Sequence, residues 1–211
     1  MVVSIERDGA AEARRALERC MARGGVAVFP ADGLYGLACD PADAAAIERI
    51  HAIKGRDDGK PSAVMFFSPL AMRELISTVG PRTREAMAAS LPGPVTLVVD
   101  NPAGLYPLAC REDPSRLGVR MIQGPLEGAE VAIFQTSANR SGDPAPSRFA
   151  ELDPRVAGSA DLSLDGGDLT GSASTVVDVT AIERGVEPVV LREGAISSEE
   201  ARRLLEPARG S

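Results

Sequence analysis

Residues 26–36 read Val-Ala-Val-Phe-Pro-Ala-Asp-Gly-Leu-Tyr-Gly, an apolar run that passes directly into a turn. A short continuous apolar run bounded by turn residues predicts a buried strand, here Val26–Phe29. Pro30–Gly36 then predicts a turn-rich segment at the end of that strand. Helical patterns lie on both sides of this stretch, which favours a strand that is covered by helices.

The helix before this strand is predicted to be capped by Asp8 and to run from about residue 9 to residue 23, where Gly24 and Gly25 stop it. The second helix is predicted to begin at Asp40, with Pro41 in its first position. It would deliver the basic residues of the segment Lys54–Arg56 at its end. Ser68-Pro69, Gly80-Pro81 and Ser197 or Ser198 open three further helices.

Six more apolar stretches predict strands. They are Ala63–Phe67, Val95–Val99, Leu117–Met121, Val131–Thr136, Ser174–Val179 and Val189–Leu191. Strands that arrive singly and in neighbouring pairs among helices favour an α/β (α+β) fold with a mixed sheet. We expect residues 1–211 to form a single domain with a core over about residues 9–205.

The composition excludes several classes of protein. The 211 residues are 44% hydrophobic and carry a net charge of -7, which argues against an extended nucleic-acid-binding surface. One histidine excludes multi-histidine metal centres, and three scattered cysteines fit reduced thiols better than disulfides. Neither a signal peptide nor a membrane span is predicted, so we expect a cytoplasmic protein. Its oligomeric state is not predictable from these features.

Lys54 and Arg56 are the first candidates for a binding site. Cations at the end of a helix stabilise the negative pole of its dipole, so simple capping explains them well. Alternatively they form an anion clamp, in which Arg offers a bidentate fork and Lys a mobile charge.

Hydroxyl and amide side chains follow three of the predicted strands or turns. Thr136–Asn139 ends an apolar strand, where ligands often bind, but it also fits an ordinary turn. Thr96 follows a stiff Pro-Gly-Pro turn, and Ser174 follows a Gly-rich loop. Each pattern taken alone predicts local structure as readily as ligand binding.

Taken in order, these segments resemble the YrdC-like family over nearly the whole chain. The matching motifs are Phe29–Leu37, Ile53–Arg56, Leu91–Thr96, Gly118–Arg120, Thr136–Gly142, Ser174–Asp178 and Leu191–Gly194. Each motif is weak, but their number and order are specific. The resemblance implies a twisted mixed sheet, flanked by helices, around a concave basic cleft.

The resemblance also implies roles for individual residues. Lys54 and Arg56 would act in catalysis by holding the carbamate and the triphosphate. The implied nucleotide contacts are Arg56, Thr96, Ser137, Asn139, Ser174 and Arg192. The implied threonine and carbamate contacts are Gly33, Tyr35, Lys54, Arg120 and Ser137, with Arg120 on the amino-acid carboxylate. No metal ligand is assigned to a protein side chain.

The activity implied by this family is L-threonylcarbamoyladenylate synthesis. L-threonine, bicarbonate and ATP would give threonylcarbamoyl-AMP and pyrophosphate, with Mg²⁺ accompanying the triphosphate. Proteins that modify adenosine 37 of tRNA would use the product. This chemistry needs no protein nucleophile, in agreement with the single histidine.

Several residues depart from the family pattern on the amino-acid side of the pocket. Ala31 and Gly33 stand where two threonines are usual, and Met65 stands where histidine is frequent. The loss of a partner for a substrate hydroxyl costs about 1–3 kcal/mol. Two alternatives therefore stay open: a related enzyme with another amino-acid or carbamate substrate, and a non-catalytic protein associated with RNA or ribosomes.

Overall fold

The computed structural model describes residues 1–55 and 61–206, and over these residues ten strands form one mixed sheet. The strands are β1 Val2–Ser4, β2 Ala27–Pro30, β3 Tyr35–Cys39, β4 Val64–Phe66, β5 Val95–Asp100, β6 Arg116–Met121, β7 Ala132–Ser137, β8 Leu162–Asp165, β9 Thr175–Asp178 and β10 Val189–Arg192. Their spatial order is β1-β8-β2-β3-β7-β4-β6-β5-β9-β10. Four neighbouring pairs are parallel: β1–β8, β2–β8, β4–β6 and β5–β9. The predicted mixed α/β architecture is confirmed.

Eight α-helices flank the sheet in the described ranges. They are α1 Ile5–Asp8, α2 Ala10–Met21, α3 Ala44–Lys54, α4 Pro69–Thr78, α5 Pro81–Ser90, α6 Pro107–Cys110, α7 Pro154–Ser159 and α8 Ser198–Leu205. Ser68 caps α4, and Ser197 caps α8 in a capping box with Glu200, as their positions predict. The Leu91–Pro92 peptide bond before β5 is cis.

Two predicted helix starts are wrong. The first helical region is divided at Gly9, whose φ of 86° interrupts the pattern between α1 and α2. The second helix begins three residues later than predicted, because the Asp43 side chain accepts from the Ala46 amide and caps it. Asp40 instead bonds to the amide of Ala42 and forms a turn.

Three strands, β1, β3 and β8, have no counterpart among the predicted elements. β3 is fully buried and contains Gly36, where a Cβ would lie 2.7 Å from the ring of Phe29 on β2. Local propensity is low in such a segment, and pairing with β2 and β7 makes it a strand. Tertiary contacts therefore decide this element.

The two faces of the sheet bury different cores. In β2, Val28 belongs to the larger cluster under α3, α4, α5, α7 and α8, whereas Ala27 and Phe29 belong to the smaller cluster under α2. This alternation follows from the two-residue period of a strand. Each fully buried large side chain, such as Phe29, contributes about 1.5–3 kcal/mol.

The sheet face that α2 covers carries large apolar side chains at one end and small or polar ones farther along. Residues paired in register share a face, and the registers of β4 with β6 and β7, continued by one residue before β4, place Ala63, Gly118 and Gln135 in one row. These residues are small or polar, unlike Phe29 farther along the same face. A hollow lies above them, and it positions the candidate site.

Candidate functional site

A cavity of about 640 Å³ opens on this face of the sheet. Among the described residues its walls come from the β2–β3 turn and the start of β3, from the segment before β4, from strands β5 to β7, and from β9, β10 and the loop before β9. The lining residues are Ala31, Gly33, Leu34, Tyr35, Gly36, Pro61, Ser62, Ala63, Thr96, Val98, Cys110, Asp113, Arg116, Gly118, Arg120, Gln135, Thr136, Ser137, Ser172, Ala173, Ser174, Val176, Leu191 and Arg192. A volume of this size fits a small-molecule ligand.

The floor of the cavity is made by alternation along β6. Arg116, Gly118 and Arg120 line the hollow, whereas Leu117 and Val119 are buried in the larger core. A Cβ on Gly118 would already lie 3.3 Å from that of Ala63. The floor is therefore low between two arginines, which leaves room for a ligand to lie across it.

Lys54, at the end of α3, reaches the end of β7. Its Nζ lies 2.8 Å from the carbonyl oxygen of Ser137 and 3.0 Å from that of Asn139, and it is 3.3 Å from the Asn139 Oδ1. Ser137 lines the cavity, so Lys54 stands at its border. The sequence motifs that contain these residues are thus brought together in space.

The turn after α3 fixes this meeting. Gly55 has φ 80°, the left-handed conformation in which glycine commonly ends helices. The carbonyl of Lys54 accepts the Ser141 amide at 2.9 Å, so the segment after β7 rests on the end of the helix. Arg56, predicted as a second clamp residue and as a nucleotide contact, lies outside the described residues.

Thr96, Ser174 and Arg192 form a second group on the far wall. The hydroxyls of Thr96 and Ser174 lie 2.8 Å apart, and the Arg192 guanidinium donates to the Ser174 carbonyl at 2.8 Å. Thr96 and Ser174 are buried, and all three residues line the cavity. Strands β5, β9 and β10 are neighbours in the sheet, which explains why residues so distant in sequence meet.

Arg120 is buried on the cavity floor and pairs with Asp32 in the β2–β3 turn. Burial lowers the pKa of Arg120, and the carboxylate of Asp32 opposes that change. Burial likewise raises the pKa of Asp32, against the attraction of Arg120. The Nε of Arg120 is buried and has no hydrogen-bond partner in the described structure.

Gly33 and Tyr35 meet different surroundings. Gly33 lines the cavity and lies against the backbone of Ser172. Tyr35 is fully buried, and its hydroxyl donates to the Gly167 carbonyl at 2.8 Å and accepts the Gly166 amide at 3.0 Å. Its hydroxyl is therefore engaged by the 166–167 loop, and a substrate contact by Tyr35 remains a prediction.

Arg116, Gln135 and Ser172 line the cavity but were not among the predicted site residues. Arg116 pairs with Asp178 on β9, two strands away in the sheet. Its spacing of four residues from Arg120 along one strand is the signal that identifies a shared face. Ser172 carries no comparable signal, because a loop has no fixed period.

Within residues 1–55 and 61–206, no group of three or more His, Cys, Asp or Glu side chains is placed to hold a metal ion. His51 contacts Arg111, whose guanidinium nitrogen lies 3.0 Å from the ring Nε2. Burial raises the pKa of Cys39 to about 12, so this thiol stays protonated at neutral pH. No helix in the same ranges is long and apolar enough to cross a membrane.

Comparison with known sequences identifies relatives of this chain. The family model for Sua5, YciO and YrdC, described as telomere recombination, matches residues 19–194. A Thiobacillus denitrificans protein named threonylcarbamoyl-AMP synthase is 32% identical in an alignment 177 residues long, which covers 79% of this chain and 88% of that protein. The family-model match, at residues 19–194, therefore includes all the cavity-lining segments from the β2–β3 turn to β10.

Two solved structures have the same fold. P. abyssi Sua5 complexed with L-threonine aligns with a TM-score of 0.81 and 26% identity over 98% of this chain. The chain spans only 61% of that Sua5 chain. E. coli YciO aligns with a TM-score of 0.77 and 26% identity, over 93% of this chain and 96% of that one. The sheet and its flanking helices are thus shared along nearly the entire chain.

Proposed function

The chain belongs to the Sua5/YciO/YrdC family, and we propose that it is a threonylcarbamoyl-AMP synthase that uses L-threonine, bicarbonate and ATP. The observation that carries the proposal is the contact of Lys54 with Ser137 and Asn139 at the border of a cavity. A relative of this name and a Sua5 structure with bound L-threonine support the same activity.

The cavity has two sides in this proposal. We call Thr96, Ser174 and Arg192 the nucleotide side, because neutral donors and one guanidinium suit ribose and phosphate oxygens. We call Gly33, Arg120 and Asp32 the amino-acid side, because Arg120 lines the cavity and a guanidinium suits a carboxylate. Lys54 and Asn139 contact Ser137 at the border of the cavity, and we place the reacting groups beside them.

The reaction needs alignment and charge neutralisation. Bicarbonate supplies carbon dioxide by losing hydroxide. The threonine amine adds to this carbon dioxide and loses a proton, which gives a carbamate, and the proton and the hydroxide form water. A carbamate oxygen then attacks the α-phosphorus of ATP, and the bond from that phosphorus to the pyrophosphate oxygen breaks. Lys54 would neutralise charge near the developing phosphorane, with Arg56 as its predicted partner. Holding both substrates in one cavity supplies much of the rate enhancement.

Magnesium enters with ATP as part of the substrate. In the described part of the chain, one acidic residue, Asp113, lines the cavity on the same strand-end as Arg116. A single carboxylate fits Mg²⁺, because this ion keeps phosphate oxygens and waters as most of its ligands. Threonylcarbamoyl-AMP would then pass to proteins that modify adenosine 37 of tRNA, and we place the reaction in the cytoplasm.

One feature of the cavity favours an amino-acid substrate other than L-threonine. Gly33 and Ala31 present no hydroxyl to the cavity, so the amino-acid side differs from the family pattern more than the nucleotide side does. An enzyme with the same ATP chemistry and another amino acid is therefore the alternative.

The test is pyrophosphate release from ATP and bicarbonate, measured with each of the twenty amino acids and with mass spectrometry of the product. We expect release with L-threonine, together with threonylcarbamoyl-AMP. Release with a different amino acid would establish the alternative. No release with any amino acid, in the presence of Mg²⁺, would overturn both enzyme assignments.

A further inference from the structure

Gly33 lies where the loop between β8 and β9 closes on the cavity. A Cβ built on Gly33 would be 2.1 Å from the carbonyl oxygen of Ser172, 2.9 Å from its amide nitrogen and 2.7 Å from the hydroxyl of Thr170. Carbon atoms do not approach backbone atoms so closely. The space of a side chain at position 33 is thus filled by residues 170–172.

A hydrogen bond holds this segment in place. The Gly171 amide donates to the Gly33 carbonyl at 2.8 Å. The same loop is anchored nearer its start, where the Leu169 amide donates to the Ser147 carbonyl at 2.8 Å. Of these residues Ser172 lines the cavity, and the Thr170 hydroxyl lies against Gly33. We call residues 170–172 the loop wall.

The loop wall presents polar groups that are not used elsewhere. Ser172 lines the cavity, and neither its amide, its carbonyl nor its hydroxyl makes a hydrogen bond within the described residues. The Thr170 hydroxyl also lacks a partner there. A hydroxyl donates one hydrogen bond and accepts two, so both are available to a ligand.

The position of the loop wall relates it to the amino-acid substrate. Asp32, the residue before Gly33, pairs with Arg120 on the cavity floor. An amino acid whose carboxylate meets Arg120 carries its side chain only two bonds farther on. Because Asp32 and Gly33 are adjacent in the chain, that side chain would lie close to Gly33 and the loop wall.

We propose that Thr170 and Ser172 read the side-chain hydroxyl of the amino-acid substrate, in the place of a side chain at position 33. This inference rests on the proposed function, because it assumes an amino acid held at Arg120. It assigns specificity for hydroxy amino acids to a loop whose backbone excludes any residue larger than glycine at position 33. A site that bonds a substrate hydroxyl rejects the analogue that lacks it.

The test compares L-threonine with L-valine, its isostere without the hydroxyl, in Thr170→Val, Ser172→Ala and the double variant. We expect kcat/KM for threonine to fall about tenfold in the double variant, with kcat/KM for valine and KM for ATP unchanged. An unchanged ratio of threonine to valine in the double variant would overturn the loop-wall assignment. Thr78→Val on α4 and Ser159→Ala on α7 are matched controls outside the cavity.

A second variant tests the backbone part of the inference. Gly33→Ala introduces a methyl group into the space of the Ser172 carbonyl, so we expect a raised KM for threonine with KM for ATP unchanged. Unaltered threonine kinetics would contradict the close approach.

The outcomes distinguish this inference from the function on which it rests. If the wild type releases pyrophosphate with threonine and the variants keep its preference, only the loop-wall assignment fails. If the wild type neither turns over nor binds threonine or serine, measured by calorimetry, the proposed function and the inference fail together.

Discussion

On the nucleotide side, Thr96, Ser174 and Arg192 are bonded to one another and to the backbone, whereas on the amino-acid side a glycine lies against a loop beside the ion pair of Arg120 and Asp32. The first arrangement is set by neighbouring strands, which hold side chains in fixed positions. The second depends on how a loop settles on the sheet. In the proposed function, binding of ATP is therefore built into the sheet, while the choice of amino acid is left to a loop segment.

The largest effect on activity is expected at Lys54, where we place the reacting groups. Lys54→Met removes the cation that contacts Ser137 and Asn139, and we expect pyrophosphate release to fall by at least about 100-fold, since loss of one donor to developing charge has this magnitude. Arg49→Met on the same helix is the control, because Arg49 instead pairs with Asp161. Equal losses of activity in both variants would show that the effect is not specific to Lys54.

Breaking the amino-acid side alone is expected to separate the two substrates. The double variant Asp32→Asn/Arg120→Met avoids leaving a buried unpaired charge, which would itself destabilise the protein. Because a hydrogen bond to a charged group contributes about 1.5–3 kcal/mol, we expect KM for threonine to rise about 10- to 100-fold. The KM for ATP should stay within about twofold, a limit well below that contribution. A parallel rise in both constants would show that the sides are not separate.

The nucleotide side is expected to respond more weakly. Thr96→Val and Ser174→Ala each remove one neutral hydrogen bond of about 1 kcal/mol, so KM for ATP should rise about fivefold with KM for threonine unchanged. Ser90→Ala, which loses a buried bond within α5, is the matched control. Steady-state kinetics at saturating concentrations of the other substrate provide the measurement.

The smallest effect concerns stability and pH. Burial raises the pKa of Asp32, with Arg120 only partly opposing it, so the folded protein holds this proton more tightly than the unfolded chain does. The resulting stabilisation is present below the ordinary pKa of 3.8 and is lost as the pH rises through the folded value. Asp32→Asn resembles the protonated form.

Because Asp32→Asn alone would leave Arg120 buried without its carboxylate, the comparison is made in the Arg120→Met background. We expect the Tm of Asp32→Asn/Arg120→Met to exceed that of Arg120→Met at pH 7 and to equal it near pH 3, as differential scanning calorimetry over this range can check. An equal Tm of the two variants at pH 7 would show that burial of the Asp32 carboxylate carries no cost.

The sequence predicted the elements whose pattern is local. Val26–Phe29 and Val95–Val99 are apolar runs that became β2 and β5, and Lys54 ends α3 as its spacing predicted. β3 escaped prediction because Tyr35–Cys39 contains a glycine and becomes a strand through its neighbours. The helix starts near Gly9 and Asp43 depended on which of several polar residues caps the helix.

The same distinction holds for the site. The motif order predicted that Lys54 and Ser137 are neighbours, because the family resemblance supplies long-range information that spacing does not. The loop wall lay beyond prediction, since the fit of Ser172 against Gly33 depends on backbone positions distant in sequence. The position of Arg116 in the cavity could have been predicted, because it lies four residues before Arg120 on one strand.

The cavity joins parts of the chain that are far apart: 78 residues separate Thr96 from Ser174, 83 separate Lys54 from Ser137, and 88 separate Asp32 from Arg120. During synthesis on the ribosome, the growing polypeptide therefore has no complete pocket until β9 and β10 have emerged. Contacts of such long range are associated with slow folding. Until those late strands arrive, neither ATP nor an amino acid can stabilise the nascent protein by filling the pocket, and unpaired strand edges of such incomplete chains are prone to aggregation.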